Sequence, residues 1–170
     1  MDTLILGLGN PILTDDGVGV RVAEAVQAAL PPGSPIETDE ACSGGLELLE
    51  RLLGYRRVVL VDALYPGQGR PGDIHRMTLA DLRAISPTQH SAAAHDTSLV
   101  TAWEMAERME LPLPEELTIY AVEVENITDF GEEPTPAVAR AVPRVAAAIL
   151  EELQMTNDEW RNFHSPNSPN

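Results

Sequence analysis

Two adjacent carboxylates, Asp15 and Asp16, stand in the glycine-rich stretch Gly7-Leu8-Gly9-Asn10-Pro11-Ile12-Leu13-Thr14-Asp15-Asp16-Gly17-Val18-Gly19, directly after the first apolar run. Glycines permit backbone turns that other residues resist, so such a loop can present its acids to a ligand. A dinucleotide fingerprint would need glycine where Ile12 stands, and two acids would repel a pyrophosphate. Capping of the helix that begins near Gly17 is an equally good use of the pair. Asp62 closes the most apolar run of the chain, Arg57-Val58-Val59-Leu60-Val61-Asp62. A carboxylate there must lie at a sheet edge or be paired, because burying it alone is costly. His90 and His95 flank a run of small residues, and His95-Asp96-Thr97-Ser98-Leu99 opens a helix. A helix N-terminus disfavours imidazolium and leaves the neutral ring that a metal requires. His75, inside a strand, and His164, in a polar tail, are weaker candidates.

Asp16, Asp62 and His95 each fall just after or just before an element on one predicted edge of a sheet. Two carboxylates and an imidazole form an open donor set suited to nickel, zinc or cobalt, with positions left for a peptide carbonyl or water. Without a thiolate the set binds weakly, which suits a protein that inspects a metal belonging to something else. Glu40, after the second strand, joins that edge and could act as a base or orient a water. Nucleophilic signatures are missing: there is no Gly-x-Ser-x-Gly elbow, no His-Glu-x-x-His and no Cys-x-x-Cys. Cys42, the single cysteine, precedes a helix whose N-terminus could activate its thiol, yet a lone cysteine near glycines is more often packing or loop filler.

The elements that position these groups alternate strand and helix. Leu4 to Leu8 reads as a buried strand, and the apolar spacing of Val18, Val22, Ala25, Val26 and Ala29 gives a helix that Pro31-Pro32-Gly33 ends. Further strands are expected at 35–39, 57–62, 72–77 and 117–124, with helices carrying Leu46 to Leu53 and Leu99 to Met109. Thr135-Pro136 starts a last helix, with threonine as N-cap and proline in the first turn, and Pro143 could kink it. Alternation of this kind predicts an α/β fold, a three-layer α/β/α sandwich around a mostly parallel, twisted sheet of about five strands. In such sheets ligands sit beyond the carboxyl ends of the strands.

At 170 residues, 44% hydrophobic and 22% charged, the chain suits one domain, here 1–155, followed by a polar and disordered tail at 156–170. The formal net charge of -16, with 11 Lys and Arg, argues against nucleic acid. No apolar run approaches a membrane span, and Met1-Asp2-Thr3-Leu4 does not begin a signal segment, so a cytoplasmic protein without membrane contact is expected. A monomer or weak homo-oligomer is the expected assembly. One cysteine excludes an internal disulfide and a thiolate-rich zinc site.

The stretches Gly7-Leu8-Gly9-Asn10 with Thr14-Asp15-Asp16-Gly17-Val18-Gly19, Val59-Leu60-Val61-Asp62-Ala63, and His95-Asp96-Thr97-Ser98-Leu99 together resemble three signatures of the nickel-iron hydrogenase maturation endopeptidases. The likeness runs from about residue 3 to residue 153. It implies a peptidase that binds nickel through Asp16, Asp62 and His95. The resemblance further implies that the nickel arrives in the substrate, a hydrogenase large-subunit precursor, whose C-terminal extension is cut after a His or Arg following its last cysteine motif. Many relatives place Asp-Gly-Gly after the second strand where this chain has Glu40-Ala41-Cys42, a departure that bears on Glu40. A non-catalytic nickel metallochaperone could use the same three side chains, although the 4 histidines are dispersed and not gathered in a tract. A nucleotide-binding regulatory domain is a third reading.

Overall fold

A computed structural model describes residues 3–42, 44–65, 67–85 and 94–163; side chains 85, 94–98 and 154–163 fall outside the description. His90, His164 and the segment 164–170 therefore lie outside the described residues.

Five strands form one sheet: β1 (Thr3–Leu8), β2 (Ile36–Ala41), β3 (Arg57–Leu64), β4 (Ile74–Met77) and β5 (Glu116–Glu123), in the order β2-β1-β3-β5-β4. All pairings are parallel except β4 with β5. The β-branched run of β3 is buried at every position from Arg57 to Ala63, which fits a strand paired on both sides and covered on both faces.

Helix α1 (Val18–Ala29) and α5 (Pro136–Phe163) cover one face, where Val18, Val22, Val26, Val138, Val145 and Ile149 pack with Ile5, Val59 and Val61. The other face carries α2 (Gly45–Leu52), α3 (Leu79–Ile85) and α4 (Ala94–Arg108), with Leu48, Leu52, Leu82, Leu99 and Trp103 against Leu4, Leu6 and Leu60. Alternate residues of each strand thus feed two separate cores. The α/β/α sandwich is as the pattern predicts. Helix α3 was not expected, and α5 continues to Phe163, into the segment whose composition suggested a tail. No proline or glycine falls between Pro143 and Pro166 to stop it. Among the described residues no helix is long and apolar enough to cross a membrane.

Backbone contact between β1 and α1 fixes the site-bearing loop. A Cβ at Gly19 would lie 2.2 Å from the Val61 carbonyl oxygen and 2.3 Å from that of Leu8, and one at Gly7 would lie 2.3 Å from the Gly19 oxygen. Glycine at both positions lets α1 start directly on the carboxyl ends of β1 and β3.

Candidate active site

Between β1 and α1 the chain makes a tight loop ending in a 3-10 turn, Thr14–Gly17, that lies against β3. Gly9 has φ 126° and would meet the Asp16 carbonyl with any Cβ, so the loop closes on itself there. The Asn10 amide donates to Asp16 Oδ2 at 2.7 Å, which orients the half-buried carboxylate and leaves Oδ1 without a hydrogen bond to a described residue. Thr14 adopts φ 47°, unfavourable for a β-branched side chain. It is held by its amide donating to the Gly131 carbonyl at 2.8 Å and its hydroxyl to that of Asp129 at 2.6 Å.

Asp15 has a different task. Its carboxylate is fully buried and accepts the Thr135 amide at 2.7 Å, the Thr135 hydroxyl at 3.0 Å, and the amides of Asn126 at 3.1 Å and Glu125 at 3.3 Å. Neither aspartate caps the following helix, whose N-cap Gly17 has no side-chain bond. Thr135, expected as a cap oxygen, instead donates through both amide and hydroxyl to Asp15.

Asp62 sits near the carboxyl end of β3, level with Ala121 of β5, and only 7% of it is exposed. The Ala63 amide donates to its Oδ1 at 2.8 Å. Alternation places its side chain on the face of Leu60, the face covered by α2 and α4. Of the two places the sequence pattern allows it, the sheet edge or a paired position, the structure gives a nearly enclosed carboxylate with a backbone amide as partner.

His95 is the second residue of α4. Its side chain lies outside the described set. The helix packs through Leu99 and Trp103 onto the Asp62 face, and its far end leads into a segment bonded to the start of β3, with the Glu115 amide donating to the Arg56 carbonyl at 2.8 Å. Helix α4 therefore runs against the direction of β3, and its first turn lies toward the carboxyl edge where Asp62 and the Asp16 turn are. Among the described side chains no three His, Cys, Asp or Glu groups gather closely enough to hold a metal, and His95 is not among those side chains.

Glu40 is not brought to this face. It is level with Gly7, which is level with Val61, so its side chain is directed with Val61 to the α1 side, opposite Asp62. There it lines a cavity of about 280 Å³ with Val20, Ala23 and Gln27. Cys42 is exposed beyond the end of β2. His75 of β4 bonds through Nε2 to the buried Glu123 carboxylate at 3.0 Å, a pairing across 48 residues that spacing did not reveal.

The sequence profile of one family, HycI, hydrogenase maturation protease, matches residues 20–152. The chain is 28% identical over 154 residues to the hydrogenase 2 maturation protease of Escherichia coli, covering 89% of this chain and 92% of that protein. It is 24% identical over 152 residues to the hydrogenase expression/formation protein HupD of Thiocapsa roseopersicina, covering 89% and 67% respectively. Among solved structures, the hydrogenase maturating endopeptidase HybD from Escherichia coli superposes with TM-score 0.75 at 23% identity, over 92% of this chain and 94% of that one. A hydrogenase maturation protease HybD from Thermococcus kodakarensis gives TM-score 0.67 at 22% identity, over 90% and 99%. These structural likenesses carry the fold, while the profile spanning most of the sequence carries membership: this chain belongs to the hydrogenase maturation protease family.

Proposed function

We propose that this chain is the endopeptidase that removes the C-terminal extension of a nickel-loaded hydrogenase large-subunit precursor, with Asp16, Asp62 and His95 gripping the nickel the precursor carries. The observation that carries this reading is that the Thr14–Gly17 turn, which holds Asp16, lies against β3, the strand that carries Asp62 near its carboxyl end, while α4, which opens with His95, packs on the Asp62 face.

The donor chemistry supports it. Asp16 holds one oxygen fixed by the Asn10 amide and has the other available, and Asp62 is seated in a rigid central strand. A ligand set built on strand and turn backbone is preorganised for an ion delivered from outside. Nickel brought by the precursor would polarise the scissile carbonyl as a Lewis acid.

Mass spectrometry of a co-expressed precursor tests the proposal. Loss of the C-terminal segment only when both this chain and nickel are present is the expected result. Equal cutting of nickel-free precursor removes the metal-recognition claim, and an unchanged precursor mass with altered nickel content would favour a metallochaperone.

A further inference from the structure

We propose that Ile12 and Phe130 form the docking surface for the precursor, an apolar anchor inside an acidic collar that selects a basic segment of the precursor's folded surface. The inference rests on the precursor-processing reading above. Phe130 is 83% exposed, the highest value among the large apolar side chains described, and Ile12 48%. Their backbones run side by side: the Gly131 amide donates to the Ile12 carbonyl at 3.0 Å, and Leu13 bridges Gly131.

The support beneath them is firm. Thr14 bonds twice to the 129–131 segment, Asn126 Oδ1 accepts the Asp129 amide at 3.1 Å, and Arg21 donates to the Glu132 carbonyl at 2.7 Å. Asp15 then fastens the start of this loop and the start of α5 to the β1–α1 turn. A floppy loop tip with an exposed aromatic is unremarkable, whereas one pinned at so many points has little entropy left to lose on binding. Pre-ordered aromatic anchors are the kind of residue that dominates protein interfaces.

Location identifies the occupant. Ile12 lies four positions before Asp16 in the same closed loop, and Phe130 is on the segment bonded to it, so a folded protein that presents a metal to Asp16 brings its surface close to this pair. Charge gives the chemistry. Segments 10–19 and 124–136 contain six carboxylates, of which Asp15 is buried, and no Lys or Arg, while Arg21 bonds to the loop through the Glu132 carbonyl and pairs with Glu24. Asp129, Glu132 and Glu133 are exposed around the pair, a field that draws cationic surface and repels acidic surface.

The test measures Kd and cleavage kinetics of nickel-loaded precursor with the parent chain, Ile12→Ser/Phe130→Ser, Glu132→Gln/Glu133→Gln, and the control Met109→Ser. Met109 is 61% exposed at the end of α4, away from this edge. The expected result is a rise of about tenfold or more in Kd and KM for the apolar double variant, with kcat at saturation within about twofold and no change in the control. The acidic double variant should flatten the salt dependence of association. Cleavage by the parent with an unchanged KM in the apolar double variant overturns the docking surface and leaves the proposed activity standing. If the parent binds without cutting, the activity fails while the Kd ratio still decides the surface. If the parent does not bind, both fall.

Discussion

Asp15 and Asp16 are neighbours in the chain with opposite surroundings: the Asp15 carboxylate is sealed under Thr135 and Asn126, while that of Asp16 is turned to the loop mouth and held by the Asn10 amide. A 3-10 turn advances about a third of a revolution per residue, so consecutive side chains must diverge. One acid therefore ties the loop to a segment 110 to 120 residues away, and the rigidity it confers holds its neighbour, the proposed ligand, in place.

Replacing Asp15 by alanine should cost about 3 kcal/mol or more, because several buried or half-buried donors lose their acceptor at once. Asp16→Ala should change stability by less than about 1 kcal/mol, since only one partly solvated amide is released. Urea denaturation of the two variants reads the contrast directly. Similar losses for both would mean that Asp15 is not the clamp.

Strands β1, β3 and β5 are dense apolar runs, and Asp62 stands out because a charge ends the densest of them. The partners of Asp15 did not show, because its bonds to Thr135 and Asn126 depend on how the ends of the chain meet. Glu40 lies near the carboxyl end of β2, but its side of the sheet is set by pairing Gly7 with both Glu40 and Val61, a register that no single segment encodes. Helix α3 is too short for its period to register, and only Leu82 of it is deeply buried among the described residues.

Gly19→Ala should be among the most damaging small changes in the molecule. Its new methyl group would fall on backbone atoms of Val61 and Leu8, which belong to the two central strands and cannot yield as a side-chain tip would. Overpacking of this kind costs typically about 1–3 kcal/mol and more where backbone must shift. Thermal denaturation checks it, with Ala28→Gly on the exposed side of α1 as the comparison, expected at about 1 kcal/mol. A Gly19→Ala protein as stable as the parent would show that α1 does not need to touch the strand ends.

Glu152 of α5 accepts from Arg57 at 2.6 Å, from Arg76 at 2.9 Å and from the Tyr120 hydroxyl at 2.8 Å, joining the last helix to three strands. Burial pushes its carboxyl upward, yet the bonds from Arg76 and Tyr120 and the charges of Arg76 and Arg57 outweigh this and hold it at about 2, below the ordinary 4.5. Because the folded value is depressed, the unfolded chain takes up this proton first as pH falls. The stabilisation is present above pH 4.5 and drains away toward about 2. Glu152→Gln should therefore be less stable than the parent at neutral pH, with the gap shrinking across that window. A gap independent of pH would assign Glu152 a packing role only.

The ligand assignment yields a contrast between carboxylates on opposite faces of one sheet. Asp62→Asn keeps the oxygen that accepts the Ala63 amide and so should fold normally, but it replaces an anionic donor with a neutral amide at the proposed nickel position. Asp16→Asn and His95→Ala remove the other two proposed donors. Each should lower kcat/KM for precursor by about a hundredfold or more, the scale seen when a metal site loses a donor or its support. Glu40→Gln should stay within about threefold of the parent, because its side chain is directed to the α1 face and cannot share an ion or a water with Asp62. Processing assays with circular dichroism on the same preparations separate lost chemistry from lost fold. Full activity in the three ligand variants would sink the nickel grip, whereas an inactive, folded Glu40→Gln would mean that the edge of β2 bends this carboxylate round to the substrate.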